Sequence, residues 1–103
     1  MIVTAVFEAK QGKEMQLREE LHAGAKESWQ ESGVRSYTVH EVKDKPGTFM
    51  NIEVYASETD FRSHLETPHV KSFLGKLDDL LANPLIIYQG TAIFSGESSK
   101  SAL

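Results

Sequence analysis

The chain has 103 residues, 40% hydrophobic and 25% charged, with a net charge of −4. A chain of this length buries about 60–65% of its unfolded surface, which supports one core and excludes a second domain. The acidic, interspersed charge gives no electrostatic support for a nucleic acid or an anionic membrane as partner. Cysteine is absent, which excludes disulfides, thiolate metal sites and thiol nucleophiles. The run from Met1 to Phe7 lacks a preceding basic segment and meets charge at Glu8, unlike a signal peptide. No apolar run approaches the roughly 20 residues that span a bilayer. A soluble, cytoplasmic domain is expected.

Ile2 to Ala9 is β-rich and apolar on both alternating faces: Ile2, Thr4 and Val6 against Val3, Ala5 and Phe7. Such a strand is covered on both sides. Gln11-Gly12-Lys13 ends it. From Lys13 to about Ser32 the period turns helical, with Leu17, Leu21, Ala25 and Ser28/Trp29 on a narrow stripe. Gly24 inside that stripe costs about 1 kcal/mol relative to alanine. Ser32-Gly33 closes the helix, and Val34 to Lys43 reads as a strand. Asp44-Lys45-Pro46-Gly47 is a turn, since proline pre-sets φ and glycine accepts a positive one. Thr48 to Ala56 then completes a hairpin. Ser57 to Asp60 caps a short helix reaching about Glu66. Thr67-Pro68 opens another, with Val70, Phe73, Leu74, Leu77, Leu80 and Leu81 as its apolar stripe. Asn83-Pro84 stops it, and Leu85 to Phe94 is a last strand. Residues 95–103 are serine-rich without apolar period, so the domain is expected to span 1–94 with a disordered tail.

Strand, helix, strand, strand, two short helices, strand is a repeated split βαβ. It predicts an α+β, ferredoxin-like domain: a four-stranded antiparallel sheet with helices on one face. Two-sided strands then leave the other face apolar and far larger than the few hundred Å² a monomer exposes. A second copy is the simplest cover, so a homodimer through the sheet face is expected.

Four histidines are candidates for acid–base work. His22 lies on a mostly polar helix, and His40 alternates with Val39, so both read as solvated. His64 follows Phe61 by three residues and lies at the edge of a buried helix face. His69 sits in the first turn after Thr67-Pro68, where the positive helix end favours the neutral imidazole that can act as a base. Local capping and packing explain the pair equally well. Their five-residue spacing departs from the three or four of metal-binding helices, so no metal is expected. On the third strand Phe49, Asn51, Glu53 and Tyr55 share one face. Asn51 and Tyr55 offer an amide and a phenol to one ligand. Glu53 either joins them or pairs with a lysine or arginine across the dimer. Trp29 and Phe61 are candidate aromatic walls, or ordinary core. The chain has no P-loop, dinucleotide fingerprint or nucleophile elbow.

Several segments stand in a specific order: Gly33-Val34-Arg35-Ser36-Tyr37, Pro46-Gly47-Thr48-Phe49 leading into Glu53-Val54-Tyr55, Phe61-Arg62-Ser63-His64, and Thr67-Pro68-His69-Val70-Lys71-Ser72-Phe73. Together they resemble the antibiotic biosynthesis monooxygenase family of small dimeric α+β barrels, over about residues 2–94. In family enzymes that oxidise polyketide phenols, an asparagine is paired with a tryptophan four residues on. Asn51 and Tyr55 stand at those positions, and Phe61 stands where those enzymes carry a tyrosine. The haem-degrading branch has a strand asparagine where this chain has Ala5, so haem chemistry is not implied.

The resemblance implies a cofactor-independent monooxygenase acting on a quinol or electron-rich phenol. His69 or His64 would be the base and Asn51 and Tyr55 the donors, in a pocket between sheet and helices. Neither cofactor nor metal is expected. The alternative is a non-catalytic binder of a small aromatic ligand, or an isomerase on the same fold.

Overall fold

A computed structural model describes residues 1–103. In chain order the elements are β1 (Ile2–Glu8), α1 (Glu14–Ser28), β2 (Val34–Glu41), β3 (Thr48–Tyr55), α2 (Glu58–Leu65), α3 (Pro68–Leu80) and β4 (Ile86–Gly90). The strands form one sheet in the order β2-β3-β1-β4, and every neighbouring pair is antiparallel. This is the predicted ferredoxin-like arrangement, with β1 central. Val3, Ala5 and Phe7 turn to the helices and are buried, while Ile2, Thr4 and Val6 lie on the opposite face, half-buried. No helix is long and apolar enough to cross a membrane.

The helix side divides into two clusters. Ala5, Phe7, Phe49, Leu17, Leu21, Leu77, Leu80 and Leu81 form the larger, joining β1 and β3 to α1 and α3. Each large side chain there contributes about 1.5–3 kcal/mol by leaving water. Val3, Tyr55 and Phe61 form the smaller, beneath α2. In the β2–β3 turn Gly47 has φ of 82°, the left-handed region where L side chains are strained. A Cβ there would also strike Glu14.

The helix starts follow the expected chemistry. Ser57 accepts from the Asp60 amide, and Thr67 accepts from the Val70 amide with Pro68 in the first turn. Two boundaries differ most from the sequence reading, and β2 stops two residues short of the expected Lys43. The first helix ends at Ser28, not Ser32. From there tight turns place Glu31 and Gly33, with the Glu31 amide donating to the Ser28 carbonyl and the Val34 amide to the Glu31 carbonyl. Gly33 is required by space: a Cβ would run into the Asp60 side chain, while its carbonyl accepts from the Ala56 amide. The last strand ends at Gly90 instead of Phe94. Gly90 pairs with Ile2, the first residue of β1, so residues 91–94 run past the end of that strand. Ile93 and Phe94 are exposed, and residues 99–101 form one turn of 3-10 helix capped by Ser98.

Candidate functional site

A cavity of about 570 Å³, including the part open to solvent, lies between the sheet and the helices. Its walls are mainly apolar, among them Val3, Phe7, Phe61, Leu65, Phe73 and Ile87, with Glu20, Ser28, Tyr37, Asn51, Glu53, His64 and His69 as polar members. Neither lysine nor arginine lines it. Apolar walls and a few convergent polar groups are what small-molecule sites share.

The polar groups come from two facing strands. Tyr37 of β2 is in register with Glu53 of β3, and Val39 with Asn51. Asn51 is only 1% exposed; its Nδ2 donates to the Tyr37 hydroxyl at 3.1 Å and its Oδ1 has no partner. Because a hydroxyl both donates and accepts, turning the amide over still leaves one Asn51 polar atom unsatisfied. An orphaned buried group costs about 1–3 kcal/mol, a cost that a ligand with a complementary polar atom removes.

Glu53 is buried without a cationic partner. The Tyr55 hydroxyl donates to its Oε1 at 2.6 Å. Burial pushes the Glu53 carboxyl above the ordinary range, and the Tyr55 hydrogen bond partly opposes that. Burial, with the Glu53 charge as second cause, holds both Tyr37 and Tyr55 well above the usual phenol range. Both phenols therefore stay protonated: the Tyr55 hydroxyl donates to Glu53, while the Tyr37 hydroxyl accepts from Asn51 and keeps its own proton to donate.

His64 and His69 converge on one carboxylate. His64 Nδ1 lies 2.8 Å and His69 Nε2 3.0 Å from the same Glu31 Oε2. Thr67 makes this possible: its hydroxyl donates to the His64 carbonyl at 2.7 Å and accepts from the Val70 amide. One side chain thus closes α2 and opens α3, folding two rings five residues apart to within 5.7 Å of each other. The spacing argument against a common point for both rings is corrected by this turn. A carboxylate acceptor calls for N–H on both facing nitrogens, leaving His64 Nε2 and His69 Nδ1 with lone pairs. His64 is buried against Tyr55 and Phe61, with ring centroids 5.3 and 6.3 Å away, whereas the His69 side chain is 20% exposed.

Of the residues singled out by sequence, Asn51, Glu53, Phe61, His64 and His69 meet at the cavity. Tyr55 does not line it. Its ring is packed on Phe61 at 5.1 Å and its hydroxyl is engaged by Glu53, so Asn51's partner in the site is Tyr37. Trp29 is also displaced. Because α1 ends early, the indole is 55% exposed and its Nε1 donates to the Tyr37 carbonyl at 2.7 Å. His22 and His40 are exposed, as expected. Sequence reasoning missed Tyr37 and Glu31 as site residues. Alternation of Tyr37 with Val39 on an inward face was the available signal for the first; Glu31 in its turn offered none.

The family model "Antibiotic biosynthesis monooxygenase" matches residues 1–76. No curated protein matches. Among solved structures, Rv0793 from Mycobacterium tuberculosis is 27% identical, with a TM-score of 0.84 over 94% of this chain and 97% of that one. PA3566 from Pseudomonas aeruginosa is 26% identical, also with a TM-score of 0.84, over 90% and 93% respectively. A structure described as an antibiotic biosynthesis monooxygenase has the same TM-score at 17% identity, covering 90% and 99%, a likeness of fold. By its matching family model and the fold it shares, the chain belongs to the antibiotic biosynthesis monooxygenase family.

Proposed function

We propose that this protein is a monooxygenase that oxidises a neutral, electron-rich phenol or quinol with molecular oxygen, without a redox cofactor. The observation that carries the reading is the unpartnered Asn51 oxygen, buried in an apolar cavity beside a histidine pair. The phenol hydroxyl sits against Asn51 and Tyr37, and the histidine pair takes its proton. The phenolate passes one electron to oxygen, and the resulting superoxide joins the ring carbon as a peroxide. Loss of the ring proton with O–O cleavage gives the quinone and water. Apolar walls keep the anion dry, and fixed donors stabilise it as charge develops. Glu31 between a buried and a partly exposed histidine offers the proton a route outward. The lack of lysine and arginine in the walls disfavours phosphorylated or carboxylated ligands, and with them an isomerase of charged metabolites.

The working unit is a homodimer through the free sheet face. Ile2, Val6, Met50, Ile52, Ile86 and Tyr88 support it: all lie on the face away from the helices, and Tyr88 is 68% exposed. An obligate interface of this kind buries roughly 2,000 Å² or more. Light scattering at micromolar concentration is expected to give a dimer; a stable folded monomer would refute it. Oxygen uptake with a panel of quinols and phenols, in the absence of added cofactor, tests the reaction. Saturable binding without oxygen consumption across the panel would favour a non-catalytic binder.

A further inference from the structure

The Glu31–His64–His69 cluster has a second capacity that proton transfer does not use. Its three donor atoms lie within 4.8 Å of one another and belong to three segments: the turn after α1, the last turn of α2 and the first of α3. The sharing of one Glu31 oxygen by both rings places the donors around a single point. We propose that Glu31, His64 and His69 form a binding site for a divalent transition-metal cation of the zinc type.

The donor set and its surroundings carry this assignment. Two imidazoles and a carboxylate suit zinc and its neighbours, whereas magnesium and calcium take oxygen ligands. Zinc–nitrogen and zinc–oxygen bonds of about 2.0–2.2 Å set tetrahedral donors roughly 3.3 Å apart. The observed 2.8 and 3.0 Å separations from Glu31 need an outward shift of a few tenths of an ångström, and the two ring nitrogens, within 4.8 Å of each other, a movement inward. Charge favours the cation as well. Neither lysine nor arginine pairs with Glu31 or with the nearby Glu53; Glu31 meets only the two rings, and Glu53 only hydroxyl and amide groups. Access exists, because the Glu31 and His69 side chains are 19% and 20% exposed while His64 anchors the site at 5%. Three protein ligands leave a fourth position for water, the pattern of an open zinc site.

Both histidines wall the cavity but Glu31 does not, so the ion would sit behind that wall, away from Asn51. Metal and proton compete for the same ring nitrogens, His64 Nδ1 and His69 Nε2. The inference does not depend on the oxidation, because binding is measured without substrate.

Chelator-treated protein titrated with Zn(II) by calorimetry should bind one ion per chain at low-micromolar affinity or tighter. Co(II) should give the visible absorption of a low-coordinate complex. Glu31→Gln and His69→Ala are expected to weaken Zn(II) binding by about 10–100-fold or more. The double variant His22→Ala/His40→Ala, which removes only exposed histidines, should bind as the parent does. Paramagnetic broadening by Co(II) in the unaltered protein should single out the His64 and His69 ring protons, a readout that needs no variant to fold. Absence of stoichiometric binding, broadening confined to His22 or His40, or affinity unchanged in Glu31→Gln and His69→Ala would overturn the site.

Discussion

The strand β3 runs through two unlike neighbourhoods. At Phe49 it enters the leucine-rich cluster of α1 and α3, where nothing but apolar contact is made. Two to six residues further on, the same strand face carries Asn51, Glu53 and Tyr55, all buried and all polar. The first region stabilises by leaving water, without directional demands. The second is held by specific hydrogen bonds and leaves one Asn51 atom without a partner. An apolar and a polar neighbourhood thus lie within about 20 Å along one strand, and substitutions at the two ends should fail in different ways.

The largest expected effect is on turnover at the polar end. A positioned base contributes about 10²–10⁴-fold, so His64→Ala should lower turnover by that order once a substrate is in hand, with the dimer intact by light scattering. Wild-type turnover in both His64→Ala and His69→Ala would remove the histidine pair from the mechanism. At the apolar end Leu80→Ala should cost about 2–5 kcal/mol in urea unfolding, because Leu80 is fully buried and leaves a cavity. Turnover per folded molecule should stay unchanged there, which sharpens the separation.

A smaller effect is expected where the two regions meet. Tyr55→Phe removes the hydroxyl donor of buried Glu53 and should cost about 1–3 kcal/mol near neutral pH. The pH dependence follows from the raised Glu53 carboxyl. A group whose folded pKa is raised contributes stability that is fully present below its unfolded value. That stability is lost as pH rises through the folded value. The parent should therefore lose stability on going upward from the ordinary carboxylate range, and Glu53→Gln should flatten that limb. A parent and a Glu53→Gln curve of the same slope would contradict the assignment. The smallest effect is expected from Asn51→Leu. Replacing a half-satisfied buried amide by an apolar side chain of similar size should change stability by less than about 1 kcal/mol. Phenol binding, read by calorimetry or tryptophan-independent absorbance, should nonetheless weaken, since the unpartnered oxygen is gone.

The element order, both helix caps and the inward face of β3 were legible in the sequence because each is a local matter. Alternation decides which side chains share a strand face, and Ser57, Thr67 and Pro68 set helix starts within one turn of themselves. Asn51, Glu53, Phe61, His64 and His69 were identifiable from such local patterns. The ends of α1 and β4 were not. The first depends on the packing of Gly33 against Asp60, the second on where β1 begins to offer a partner. Tyr55 and Trp29 illustrate the same limit: alternation places Tyr55 on β3, but only packing turns its hydroxyl to Glu53, and Trp29, just past the end of α1, leaves its ring largely in solvent. The meeting of Glu31 with His64 and His69 lies furthest from sequence reasoning. It joins residues 33 and 38 positions apart, and no periodicity reports a contact made by three chain segments arriving at one point. Local sequence determined which faces are apolar and where helices begin; the tertiary structure decided which polar groups find partners, because that depends on distances between segments the chain itself does not encode locally.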